Sequence, residues 1–342
     1  MNRLFLLFLF LPFLPIQAQE RRLRLVEWNV ENLFDTVHDT GFDDREFLPD
    51  GAYGWDTHRY FTKLSLVART IAALGGTLPA DLVALCEVEN DSVLVQLTRR
   101  TLLARLGYEY VMTRSPDPRG IDVALLYQPL SFRPFHVRSL HVPKGDTGDK
   151  PTRDILLVSG EVPTGDTLHI FVCHLPSRRG GARATEPLRM RAANVMRRCV
   201  DSIFAYNPEA NIILTGDFND EPHNASIART LRAAVPPATG TELADTALYV
   251  LTSRLEAEEG ITGTYKFQGR WNRLDNIIVS TSLLRPSNRL HTSEHHCAIR
   301  TFPHLTERDG DRKGLKPRRT FLGTYWQGGA SDHLPLTLDL YY

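Results

Sequence analysis

Asn211-Ile212-Ile213-Leu214-Thr215-Gly216-Asp217-Phe218-Asn219-Asp220 runs from an apolar stretch straight into a glycine, a carboxylate and an amide. Its Ile-Ile-Leu centre is too short for a helix and too apolar for a loop, so Asn211–Leu214 predicts a buried strand. Taken alone, the Gly-Asp-Phe-Asn that follows is no more than a turn, because Gly, Asp and Asn are turn residues. The arrangement recurs, however. Apolar runs at Leu23–Trp28, Leu82–Cys86, Val123–Tyr127, Ile155–Val158, Leu168–Cys173, Ile277–Val279 and Leu336–Leu340 read as further buried strands. Helical patterns lie between some of them: Arg59–Leu74 before Gly75-Gly76, Ser92–Leu106 before Gly107, and Glu186–Tyr206, with Pro187 suited to a first turn. Strands alternating with helices predict an α/β class in which helices cover sheet faces. No Pro/Gly/Ser-rich linker divides residues 19–342, which read as one domain. Asp39–Trp55 and His304–Gly329 read as long loops over the sheet ends.

The first residues bear on compartment. Arg3 precedes a Leu/Phe/Pro-rich core, Leu4–Ile16, and Ile16-Gln17-Ala18 offers a cleavage point, so residues 1–18 read as a signal peptide. The core is too short to span a bilayer comfortably, and Pro12 and Pro15 would break a membrane helix. No transmembrane segment is expected in the mature chain. The expected location is secreted or periplasmic, with a lean toward a bacterial envelope. Apolar and charged contents of 42% and 23% are those of an ordinary globular protein. A formal net charge of zero excludes a global field drawing the chain to nucleic acid or membrane. Four cysteines are too few for a disulfide scaffold, and Cys86 and Cys173 sit in strand-like runs that suit buried thiols. Without CxxC or a Cys/His spacing, structural zinc is not expected.

Six polar clusters stand beside strand-like runs: Trp28-Asn29-Val30-Glu31-Asn32, Cys86-Glu87-Val88-Glu89-Asn90, Cys173-His174-Leu175-Pro176-Ser177, Gly216-Asp217-Phe218-Asn219-Asp220, Leu274-Asp275-Asn276 and Ser331-Asp332-His333-Leu334-Pro335. Each alone has a bland reading as a strand-end cap, a turn or a core histidine. Together they place carboxylates, amides and imidazoles where the active sites of open α/β folds are built. Carboxylates with amide oxygens suit hard cations such as Mg²⁺ or Mn²⁺, and thiolates that would favour zinc are missing. Histidines and a further Asp suit phosphate contact and activation of water.

With all six in this order, the chain resembles the endonuclease/exonuclease/phosphatase superfamily from about Leu23 to Leu340. The resemblance implies a four-layer α/β sandwich, two mixed β-sheets packed face to face with helices outside. It implies in-line attack of water on phosphorus with one or two divalent ions, Mg²⁺ or Mn²⁺, with Ca²⁺ admitted. By resemblance, Asn29, Glu87 and Asp332 are the metal ligands. Asp217 orients or deprotonates the attacking water, Asn219 steadies the transition state, and His174 and His333 contact phosphate oxygens. Asp275 pairs with His333, and Arg153 matches the family's phosphate-binding arginine more weakly. Asp122 either orients His174 or sits in a loop ion pair, and Arg119 has the same two readings toward phosphate.

The substrate is less determined, since one scaffold hosts many functions. Arg178, Arg179, Arg183, Arg189 and Arg191 on one loop, and Lys313, Lys316, Arg318 and Arg319 on another, either neutralise phosphates or form solvated faces. Tyr265, Phe267, Trp271, Tyr325 and Trp326 either stack bases, shape a small pocket or face the core. The expectation is an extracytoplasmic nuclease or phosphodiesterase acting on a phosphate ester, nucleic acid before others, with no stable protein partner. The alternatives are a lipid-head-group or sugar-phosphate esterase and, more distantly, an inactive ligand-binding relative.

Overall fold

The computed structural model describes residues 21–145, 150–238, 241–310, 312 and 314–342, so the expected signal peptide lies outside the described residues. The chain opens with β1 (Arg22–Leu33), α1 (Thr57–Gly75), β2 (Leu82–Val88), α2 (Asp91–Arg100), β3 (Glu109–Met112) and β4 (Asp122–Tyr127). It continues through β5 (Arg133–Leu140), β6 (Ile155–Glu161), β7 (Thr167–His174), α3 (Ala182–Tyr206), β8 (Asn211–Asp217), β9 (Ala233–Ala234) and β10 (Leu248–Val250). A hairpin, β11 (Tyr265–Phe267) and β12 (Arg270–Asn272), precedes β13 (Asp275–Ser280) and β14 (Cys297–Ile299). Two more hairpins, β15 (Thr306–Arg308) with β16 (Leu315–Pro317) and β17 (Phe321–Leu322) with β18 (Tyr325–Trp326), lead to β19 (Leu336–Tyr341).

The strands form two large sheets, ordered β14-β19-β1-β2-β4-β3 and β5-β6-β7-β8-β13-β10-β9. Both are mixed: β1 is parallel to β2 and β7 to β8, while β1–β19, β2–β4, β6–β7 and β8–β13 are antiparallel. Side-chain alternation explains the unbroken apolar runs. In β7, Leu168, Ile170 and Val172 join the core between the sheets, while Phe171 and Cys173 join the core under α3. Ile213 and its neighbours Ile212 and Leu214 divide the same way in β8, so both faces of these strands are dry. α3 meets them with Ala192, Met196, Val200 and Phe204, one residue every four. Leu64, Val67, Ile71 and Leu74 bring α1 onto the six-stranded sheet. The architecture is the expected four-layer sandwich, helix on sheet on sheet on helix.

Local chemistry sets the helix ends. Asp56 and Asn90 cap α1 and α2 by accepting from Arg59 N and Val93 N. α2 stops at Arg100, short of the expected Leu106, because Thr101 is extended and opens a separate tight turn at Leu102–Arg105. α3 starts at Ala182 rather than Glu186, which puts Pro187 inside the helix, where the Arg183 carbonyl cannot receive its usual bond. β5 escapes sequence reading because it is an edge strand with mostly exposed side chains. The four cysteines are unpaired, and Cys86, Cys173 and Cys297 are buried. Among the described residues no helix is long and apolar enough to cross a membrane.

Candidate active site

Two neighbouring parallel strands break register at the same end of the six-stranded sheet. β1 shifts between Asn29 and Leu33, with Glu31 and Asn32 at positive φ, and β2 pairs irregularly around Glu87, itself at φ 65. Bulges of this kind re-aim side chains, and non-glycine residues held there cost about 1–3 kcal/mol each, a strain that collects at functional sites. Glu87 Oε2 accepts from Asn32 N at 2.7 Å, which locks the two bulges together. Its Oε1 has only long contacts, 3.5 Å to Asn29 Nδ2 and 3.8 Å to His174 Nε2.

The seven-stranded sheet supplies the opposite wall. His174 and Asp217 are register partners at the ends of β7 and β8, with His174 Nε2 3.5 Å from Asp217 Oδ2. Gly216 makes this pairing possible: it has φ 132, and a Cβ there would lie 2.0 Å from the Cys173 carbonyl oxygen. Asp217 Oδ1 accepts from Asn219 N at 2.8 Å, and Asn29 Nδ2 reaches Asp217 Oδ2 at 3.1 Å across the two sheets. Asn219 Nδ2 donates to Leu175 O. Burial, with the charge of Asp275 behind it, pushes the Asp217 carboxyl up to about 7.

His333 completes the centre. Trp28 Nε1 donates to its carbonyl, and its backbone N–H donates to Ser331 Oγ, so β1 anchors the loop that carries it. Its Nδ1 lies 2.7 Å from Asp275 Oδ2, which also accepts from the Thr264 hydroxyl. Its Nε2 lies 4.0 Å from both Asp217 and Asp332. Burial opposes its charge, but Asp275, Asp217 and Asp332 outweigh it and raise the imidazole well above its ordinary value. His174 goes the other way, lowered well below by burial and by Arg153 and Arg119. Glu87, His174, Asp217, Asn219 and His333 border one cavity of about 880 Å³, lined also by Arg119, Arg179, Tyr265, Phe267 and Asp332.

A profile described as the Endonuclease/Exonuclease/phosphatase family matches residues 25–341. The chain belongs to this family. Solved structures agree in fold at low identity. An endonuclease/exonuclease/phosphatase family protein from Bacteroides thetaiotaomicron has a TM-score of 0.57 at 17% identity, covering 95% of this chain and 99% of that one. D. rerio TDP2 complexed with single strand DNA product has 0.56 at 16%, covering 93% and 98%. A B. thetaiotaomicron mannosyl-6-phosphatase has 0.57 at 17%, covering 94% and 100%. No curated protein matches.

Members of the endonuclease/exonuclease/phosphatase family are divalent-metal-dependent phosphoesterases, and two donor sets reach the cavity through residues that line it, Asp217 and His333 in one and Glu87 and Asp332 in the other. Asp217, Asp275 and His333 can hold an ion, their ligand atoms lying within 4.8 Å of one another. His333, however, spends Nδ1 on Asp275 and favours the charged form, which disfavours a cation beside it. The Glu87 side fits better: Oε1 is loosely held, and the donors Asn29, Glu87 and Asp332 are hard oxygens. Asp332 pairs with Arg319 here.

Two arginines expected at phosphate are engaged by the protein. Arg153 donates to Asp117, His174 O and Leu175 O, and Arg178 donates to Asn219 O, Asp220 and Asn224. Each braces a loop that carries catalytic side chains, and both still line the cavity. Arg119 lies at the rim, 3.7 Å from Asp117. Asp122 does not touch His174; Thr113 and Ser115 take its carboxylate. Arg189 is buried against Asp220, and Lys316 pairs with Glu307, while Lys313 lies outside the described residues. Trp326 packs on Trp55 and Phe321, whereas Tyr265 lies against the His333 ring, centroids 4.9 Å apart.

Two buried charges escaped sequence reading. Glu27 lies beneath the centre beside Asp275, and burial, reinforced by the charges of Asp275 and Asp217, raises it well above the carboxylate range. Lys63 donates to Glu31 O and Thr320 Oγ1, and burial lowers its ammonium to about 8. The signal was present in each case: a charge on the inward period of a strand or helix that otherwise reads apolar.

Proposed function

We propose that this chain is a divalent-metal-dependent phosphodiesterase that cleaves nucleic acid outside the cytoplasm, with Mg²⁺ or Mn²⁺ as its ion. One observation carries this reading: a carboxyl raised to about 7, Asp217, and a cationic imidazole, His333, face one cavity from opposite walls. That is the pairing of base and charge stabiliser that hydrolysis of a phosphate ester requires near neutral pH.

Asn29, Glu87 and Asp332 would hold the ion, which when bound supplies positive charge to the phosphate and acidifies water. Asp217 is held at Oδ1 by Asn219 N and oriented at Oδ2 by Asn29 Nδ2, and Oδ2 keeps a second lone pair to take the proton of the attacking water. Asp275 fixes the His333 ring through Nδ1, so the Nε2 proton is presented to a phosphate oxygen. Neutral His174 offers a hydrogen bond beside it without adding charge. The Asn219 amide, anchored by one Nδ2 proton on Leu175 O, would offer its other to the charge that develops as water attacks in line.

The aromatic edge, Tyr265 and Phe267, and the rim cations Arg119 and Arg179 support a nucleic-acid strand over a lone ester. The Leu4–Ile16 apolar core behind Arg3 supports export, and residues 19–342 read as one domain. A sugar-phosphate phosphatase is the second reading, favoured by the likeness to the mannosyl-6-phosphatase. The test is hydrolysis of bis-p-nitrophenyl phosphate with Mg²⁺ or Mn²⁺, with and without EDTA, followed by single-stranded DNA, RNA, phospholipid vesicles and sugar phosphates. Release is expected only with metal, and cleavage of lipid or sugar phosphate alone would reject the nuclease reading.

A further inference from the structure

A second cavity, of about 420 Å³, opens beside the catalytic one, and Arg119, Arg153, Ser177 and Arg179 line both. Its wall is strongly basic: among the described residues that line it, Arg119, Lys144, Lys150, Arg153, Arg179 and Arg191 stand against Asp43 and Asp117 alone. Asp117 is already taken, paired with Arg153 at 2.8 Å and approached by Arg119 at 3.7 Å. Among the described residues Lys144, Lys150 and Arg179 form no ion pair. The wall also includes Thr152, whose buried hydroxyl oxygen has no hydrogen-bond partner among the described residues. Like charges gathered with little counter-charge repel one another, and a buried hydroxyl left unpaired carries the full cost of its lost hydration. An anion placed here would relieve both penalties.

We infer that this basic annex holds a second phosphate of a nucleic-acid strand whose scissile phosphodiester lies in the catalytic cavity. The inference rests on the phosphodiesterase reading and deepens it: the substrate is a strand with successive phosphates, not a monoester. The annex opens into the catalytic cavity on the His174 side, where Ser177 and Arg179 follow β7. Lys144 and Lys150 are exposed, so they contribute charge without holding the fold together. Arg153 holds the cavity floor to the β7 end and adds field rather than a free donor.

The experiment measures binding of a fluorescein-labelled single-stranded oligodeoxynucleotide by anisotropy in EDTA, across a salt series, with the full chain. The Lys144→Ala/Lys150→Ala variant is expected to bind about tenfold more weakly at low salt. Its salt slope should be shallower by about 0.7, since each phosphate neutralised on a single strand contributes roughly 0.7. Arg289→Ala, an exposed cation paired with Asp166 elsewhere on the surface, is the control and should match wild type. Thermal melts of all three should coincide, and Lys144→Glu/Lys150→Glu should deepen the loss. Wild-type affinity and slope in the double alanine variant, or no binding by wild type, would overturn the annex. Failure of the phosphodiesterase reading is separate: it would appear as no metal-dependent release from bis-p-nitrophenyl phosphate by the same preparation, whatever the anisotropy reads.

Discussion

Two histidines share one cavity, yet the protein treats them oppositely. His333 has a carboxylate on each side: Asp275 grips Nδ1 at 2.7 Å, and Asp217 and Asp332 each lie 4.0 Å from Nε2. His174 has Asp217 and Glu87 at 3.5 and 3.8 Å from Nε2, but burial and then the charges of Arg153 and Arg119 prevail, and its Nδ1 has no partner among the described residues. Both rings are nearly fully buried, so burial alone would neutralise both. The difference teaches that placed charges, not depth, decide which imidazole is a cation. One serves as a charge and the other as a neutral donor.

The strongest way to break this comparison is to delete its members. His333→Ala should lower kcat by about a thousandfold and Asp217→Asn by at least about a hundredfold, within the range for groups acting on protons and charge in the transition state. Stopped assays at saturating metal check this, and near-wild-type rates in both would undo the roles. The contrast itself is visible without turnover. In metal-free protein, ¹⁵N spectra should show the His333 ring doubly protonated at pH 7 and the His174 ring neutral well below pH 6.5. A smaller effect sharpens the His333 side. Thr264→Val removes the hydroxyl that donates to Asp275, and at about 1.5 kcal/mol should lower kcat roughly tenfold with little change in KM.

The last effect lies away from both histidines and is read in stability, not in rate. Burial raises the Glu89 carboxyl to about 9, against 4.5 when exposed. The folded state therefore holds this proton more tightly than the unfolded chain. Its stabilising contribution is complete below pH 4.5 and is lost as pH rises toward 9. Glu89→Gln should flatten the decline of Tm across that window, and an unchanged decline would show that other groups set it.

How much of this was legible follows from what each residue must do locally. Asn29, Glu87, His174, Asp217, Asp275 and His333 could be found because each borders an apolar run that has to be a strand, and strand ends gather at one edge. The sandwich itself follows from runs such as Leu168–Cys173, apolar on both periods, which need cover on both faces. Other features have no local signature. Arg153 and Arg178 look alike in sequence to rim cations, and only their acceptors, the backbone oxygens of residues 174, 175 and 219, make them braces. Lys63 is one charge on the buried face of α1, and its acceptors lie in β1 and in a loop more than 250 positions away. The annex joins Lys144 and Lys150 to α3, a meeting that depends on the path of the chain after β5.

The bond from Asn29 to Asp217 joins the two sheets, with Cys86 Sγ donating to Cys173 O nearby, and below these polar contacts the seam between the sheets is lined by hydrocarbon side chains. The thickness of that oily seam therefore works as a caliper for the chemistry. Swapping one methylene in its middle, far from any phosphate, should alter the jaw opening and be felt as a change in metal affinity before it is felt as unfolding.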